Sequence, residues 1–112
     1  MSALEVARLA AALTLDKKGL RPIILDLRAV SVVTDYFVVV SGSSGTHTQA
    51  LADHVVDGLS LAGAKLQGKE SDPFGKWILL DYVAVIVHVF DEETRDFYNL
   101  ERLWGEAASV TL

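Results

Sequence analysis

The sequence predicts one α/β domain over residues 1–112: a mixed sheet of about five strands packed by helices. Three observations predict it. Two apolar runs, around Tyr36 to Val40 and Val83 to Phe90, are short and nearly unbroken, the mark of strands buried on both faces. Helical periodicities introduced by capping signals stand before and after the first run. Only short turns separate these pieces, with no repeat and no linker.

Taken in order, Ser2-x-x-Glu5 is a capping box that opens a helix from about Ala3 to Lys18. Gly19 ends it, with Lys17 and Lys18 at the negative end of its dipole. Pro22 opens a strand to Arg28. A second strand, Tyr36 to Val40, closes at Ser41-Gly42. Thr46-x-x-Gln49 is a second capping box, and the helix it opens runs to Ala62, with Leu51, Val55, Leu59 and Ala62 on its apolar face. Gly63 stops it. A short third strand spans Ala64 to Gly68. Two more, in Lys76–Tyr82 and Val83–Phe90, meet at a hairpin or bend near Asp81 to Ala84. A last helical region, Asp91 to Ala108, is capped by Asp91. Phe97, Leu100 and Trp104 form its apolar face, expected to be buried, and Arg95, Tyr98 and Arg102 lie on another side. The order is α-β-β-α-β-β-β-α. Its central strand–helix–strand piece predicts a right-handed parallel crossover.

Composition narrows the function. Of 112 residues, 51% are apolar and 22% charged, a globular balance. Fifteen acidic residues against ten basic ones give a net charge of −5, which disfavours direct binding to RNA or DNA and suits a basic protein partner. With no cysteine there is no disulfide framework, thiolate nucleophile or cysteine-based zinc site. The Ala/Leu-rich N-terminus is interrupted by Glu5 and Arg8 and reads as an ordinary helix, not an exported leader. No apolar run reaches the roughly 18 residues of a membrane span. The cytoplasm is the expected location.

Candidate chemistry finds little support. SGSSGT, between a strand and a helix, sits where backbone N–H groups can cradle an anion. It lacks the lysine and spacing of a P-loop, and the plain reading is a turn. Its setting is similar to that of nucleotidyltransferases, and a nucleotide-handling enzyme is the alternative function. Such enzymes need two strand carboxylates one residue apart to hold Mg²⁺. Asp26 and Asp81 each stand alone; Glu70 and Asp72 have the spacing but lie in a loop. His47 and His54, seven residues apart, are about 10 Å apart by helical rise, too far for one ion. His88, lone among apolar residues, reads as a hydrogen-bonded packing residue. No catalytic residue, metal site or cofactor is predicted.

The stretch from Trp77 to Trp104 points elsewhere. WxLLDY, VHVF and RxFYxLExLW carry polar and aromatic residues that strand or helix propensity does not demand. With Thr34-Asp35-Tyr36-Phe37, Ser41-Gly42, Ala50, Ala52-Asp53 and Gly68, they make the chain resemble the ribosomal silencing factor, or Iojap, family over residues 4–107. Val83-Ala84 stand where that family usually has Gly-Asp, and His47-Thr48 where it usually has Arg-Gln. The resemblance implies a nucleotidyltransferase-like fold without catalytic carboxylates and a non-enzymatic translation repressor. It implies binding to the large ribosomal subunit through ribosomal protein number fourteen, at the face where the small subunit joins, with joining blocked when nutrients are short. It also implies a homodimer when free. The expected docking surface comprises Trp77, Asp81, Tyr82, His88, Arg95, Tyr98 and Glu101, with Asp81 and Glu101 steering a basic partner.

Overall fold

The computed structural model describes residues 1–105 and 107–112. Helix α1 (Ala3–Asp16) opens with the expected capping box: Glu5 N–H donates to Ser2 Oγ, and Ser2 N–H donates to the Glu5 carboxylate. It ends two residues early, because Lys18, not Gly19, takes the left-handed turn (φ 60°). Strand β1 (Leu20–Asp26) starts ahead of Pro22, which is accommodated where the register shifts between Leu20 and Ile23. Strand β2 (Tyr36–Gly42) and helix α2 (Gly45–Leu61) follow. The α2 cap is Ser44, whose hydroxyl accepts the His47 N–H, and not Thr46. Thr48 and Ala52 complete the buried face of α2, while Ala62 lies beyond the helix and is exposed. Gly63 takes the left-handed conformation (φ 94°) expected of a helix stop.

Strand β3 is Gly68–Ser71, later than expected: only Gly68 of the segment from Ala64 is in a strand. Strands β4 (Trp77–Asp81) and β5 (Val85–Asp91) form a tight hairpin across Tyr82–Ala84. The last region is not one helix. Helix α3 (Glu92–Tyr98), capped by Asp91, stops at Asn99, which is left-handed (φ 47°) and caps helix α4 (Leu100–Leu103). A short strand β6 (Ala108–Val110) follows, where the sequence suggested continuing helix. Glu106, inside the predicted helix, lies outside the described residues.

Among the described residues the sheet has six strands, not five, in the order β3-β4-β5-β2-β1-β6. Only β2 and β5 are parallel neighbours; the other pairs are antiparallel. The expected parallel partner of β2, the strand after α2, is instead at the far edge. Strands β4 and β5 fill the space between them, and β5 with its longer apolar run takes the central position.

The sheet has two unlike faces. One carries Ile24, Val38, Val40, Ile78, Leu80, Val87 and Val89, sealed by Ala7, Ala10 and Ala11 of α1 and Leu51, Val55 and Leu59 of α2. The two helices sit close together because Gly58 meets Leu13: a Cβ there would lie 2.5 Å from that side chain. The other face carries Ile23, Phe37, Val39, Trp77 and Phe90, covered only in part by Leu100 and Trp104. Most of the residues singled out in the sequence lie on this half-covered face.

Candidate functional site

Residues paired across strands point to the same side of a sheet. The registers place Trp77, Phe90, Ser41 and Leu20 in one row. The next row is Leu79, His88, Val39 and Ile23, and the third is Asp81, Ile86, Phe37 and Leu25. Helices α3 and α4 lie over the Ser41–Val39 side. Trp77, Leu79 and Ile86 stay only partly covered.

Aromatic rings tie this face together. Trp77 packs on Phe90 at 4.9 Å and on Tyr98 at 4.8 Å between ring centroids. The Trp77 indole N–H donates to His88 Nδ1 at 3.0 Å. That bond makes Nδ1 the acceptor, so the neutral ring carries its proton on Nε2. The Nε2 atom is buried and, among the described residues, has no hydrogen-bond partner. Phe37 stands edge-on to His88 at 4.5 Å and to Trp104 at 5.6 Å. His88 is 4% exposed, and this burial among apolar rings pulls its pKa down to about 4. It is a packing residue held neutral, as its apolar sequence context suggested.

Arg95 is 3% exposed, although the sequence placed it on an outer side of the last helix. Its Nη2 lies 2.7 Å from Glu101 Oε1, and its Nε donates to the same oxygen at 2.8 Å. Its Nη1 donates to Leu20 O and Ser41 Oγ, each at 3.1 Å. Burial lowers the Arg95 pKa, and Glu101 opposes that shift. The guanidinium therefore pins α3 and α4 to the ends of β1 and β2. The left-handed Asn99 makes this possible by folding Glu101 back towards Arg95. The same turn parts Phe97 from Leu100: Leu100 is buried, whereas Phe97 is 79% exposed and Trp104 partly exposed. The expected common apolar face does not form. Phe97 instead stands beside Tyr98, itself 49% exposed, at 5.2 Å.

Of the seven residues singled out in the sequence, Trp77, Asp81, His88, Arg95, Tyr98 and Glu101 gather on this side of the sheet. Trp77, Asp81, Tyr98 and Glu101 keep some exposure; His88 and Arg95 lie beneath. Tyr82 is on the other side, packed against the helix-covered core, with its hydroxyl buried and without a hydrogen-bond partner among the described residues. Asp81 caps the hairpin by accepting the Val83 N–H at 2.7 Å. The structure also leaves Leu79, Ile86 and Phe97 partly or largely exposed on this side, residues that the sequence reading did not single out for the candidate surface. Alternation groups Leu79 with Trp77, but the neighbouring strand and its register are needed to add Ile86.

The SGSSGT loop is engaged within the fold. Ser43 N–H donates to His47 Nδ1 at 2.9 Å, and His47 Nε2 donates to Lys17 O at 2.7 Å. His54 lies 3.2 Å from Asp16. Each histidine thus links α2 to the end of α1. Among the described residues no group of three or more His, Asp or Glu is placed to hold a metal ion. No helix among them is long and apolar enough to cross a membrane.

The profile of the family described as "ribosomal silencing factor during starvation" matches residues 1–112. The chain is 36% identical to the ribosomal silencing factor of Bacillus subtilis over 112 residues, covering all of this chain and 95% of that one. It is 35% identical over 77 residues to the mouse protein named "mitochondrial assembly of ribosomal large subunit protein 1", covering 63% of this chain and 32% of that one. A solved structure from Chromobacterium violaceum superposes with a TM-score of 0.90 at 35% identity, covering 94% of this chain and 88% of that one. A second, from Bacillus halodurans, gives a TM-score of 0.84 at 31% identity, covering 97% and 99%.

Proposed function

This chain belongs to the ribosomal silencing factor family, a family of ribosome-associated translation regulators, and from that membership we propose that it represses translation by docking on the large ribosomal subunit. The docking surface is the half-covered sheet face, contacting ribosomal protein number fourteen where the small subunit joins. Occupying that place excludes the small subunit sterically. The protein acts in the cytoplasm, under nutrient stress, and is a homodimer when free.

The observation that carries this reading is the half-covered apolar face itself. One side of the sheet is sealed by two helices; the other leaves Trp77, Leu79, Ile86 and Tyr98 open to a partner, with Asp81 and Glu101 at its border. Aromatic residues on a rigid sheet are what binding hot spots are made of. Asp81 at the border and the net charge of −5 favour a basic protein partner, while Glu101 is engaged by Arg95. His88 and Arg95 act beneath the surface: His88 orients the Trp77 indole, and Arg95 holds the segment that carries Tyr98. Tyr82 contributes by seating the hairpin that presents Asp81.

The test is co-sedimentation with purified large and small subunits, using wild type, Asp81→Ala and Tyr98→Ala, each checked for unchanged folding. The wild type pellets with large subunits alone, and both variants bind more weakly. If both variants bind like wild type, the docking surface lies elsewhere.

A further inference from the structure

Beside Trp77, the β3–β4 turn and the start of α3 enclose a groove lined by Asp72, Lys76, Trp77, Asp91, Glu93, Phe97 and Tyr98. Its walls are of two kinds. Trp77, Tyr98 and Phe97 supply three aromatic rings in sequence, at 4.8 and 5.2 Å between centroids. Asp72, Asp91 and Glu93 supply three carboxylates, and among the described residues none of them is in an ion pair. Lys76, the one cation in the lining, has its ammonium over the Phe74 ring at 5.9 Å.

We propose that this groove receives an arginine side chain from a basic segment of the protein partner. The inference deepens the docking reading and rests on it for the partner's identity. Aromatic faces carry negative charge and attract a cation laid over them, most strongly when solvent is excluded. A guanidinium fits better than an ammonium, because it is planar, stacks on rings and is weakly hydrated. Two of the carboxylates are committed in part to the fold. Asp72 accepts the Trp77 and Phe74 N–H groups, and Asp91 accepts the Thr94 N–H. They set the negative field and hold the groove in shape. Among the described residues the Glu93 carboxylate accepts no hydrogen bond, so it is the one placed to pair with the incoming cation. The exposure of Phe97, which packing within the chain does not explain, follows: its ring forms the outer wall of the groove.

The experiment titrates the protein with N-acetyl-arginine amide, N-acetyl-lysine amide and the uncharged isostere N-acetyl-citrulline amide, reading the assigned Trp77 and Tyr98 side-chain resonances. Glu93→Gln and Phe97→Ala are titrated alongside and assayed for large-subunit binding. The arginine probe should shift both resonances saturably, the lysine probe less and the citrulline probe not at all. Both variants should lose the response and bind large subunits about tenfold more weakly, the size of a desolvated cation–aromatic contact. An equal response to citrulline, or one that persists in both variants, overturns the proposal. A lysine response as strong as that of arginine overturns the choice of guanidinium. Wild-type subunit binding left unchanged by both variants overturns the groove while the docking surface stands. Failure of the wild type to bind large subunits, with the arginine response intact, sinks the docking reading and leaves the groove.

Discussion

The Trp77 indole donates its hydrogen bond to His88 Nδ1, so a half-buried aromatic residue on β4 is oriented by a buried, neutral histidine on β5. The pair joins the surface to the sheet, and it has a pH signature. Burial lowers the His88 pKa from 6.5 in the unfolded chain to about 4. The native state therefore disfavours the protonated ring. The resulting stability is complete above about pH 6.5 and is lost as pH falls towards 4. The shift corresponds to at most about 3 kcal/mol. Denaturant melts of wild type and His88→Gln between pH 7 and 4 measure it: the variant retains an acceptor for Trp77 but has a shallower acid dependence.

Arg95 and Glu101 should be worth more together than singly. Glu101→Ala leaves a buried guanidinium without its carboxylate and should cost about 2–3 kcal/mol, below the value for a fully buried pair because Glu101 is partly exposed. Arg95→Ala combined with Glu101→Ala should cost clearly less than the sum of the single changes. A double-mutant cycle in urea reads the coupling.

Leu100 and Phe97, two of the three apolar residues expected to share one helical face, should now behave differently. Leu100→Ala opens a cavity under α4 and should cost about 2–5 kcal/mol. Phe97→Ala removes a ring that is largely in solvent and should change stability by no more than about 0.5 kcal/mol. Denaturation midpoints of the two variants, compared with wild type, test the broken helix directly.

Val83 is a β-branched residue held in the left-handed region, with φ 69°. That conformation costs roughly 1–2 kcal/mol for such a side chain. Its side chain is exposed, so little packing offsets the strain. Val83→Gly should stabilise the domain by about 1 kcal/mol after the extra unfolded-state freedom of glycine is counted. A raised melting temperature is the expected result.

These residues also mark where the sequence was legible. The capping box at Ser2 and Glu5, the glycine stop at Gly63 and the Asp91 cap are local signals, and each forms as expected. The alternation of Trp77, Leu79 and Asp81 against Ile78 and Leu80 correctly separated the two faces of β4. What failed depended on distant partners. The adjacency of β2 and β5 is a tertiary choice that no window of sequence contains. The β6 strand exists because β1 offers it an edge. The last helix was misread at Asn99, whose tolerance of the left-handed region is a weak signal inside a helical pattern. The break at that residue turns α4 away from the line of α3, and so shapes the candidate site.

Subunit joining is the most direct measurement of the central claim. Light scattering follows the association of purified small and large subunits while the protein is added first to the large subunits. The account predicts a dose-dependent fall in association that saturates near one protein per large subunit and is relieved in Tyr98→Ala. Association that proceeds unchanged with large subunits saturated by bound protein would contradict it.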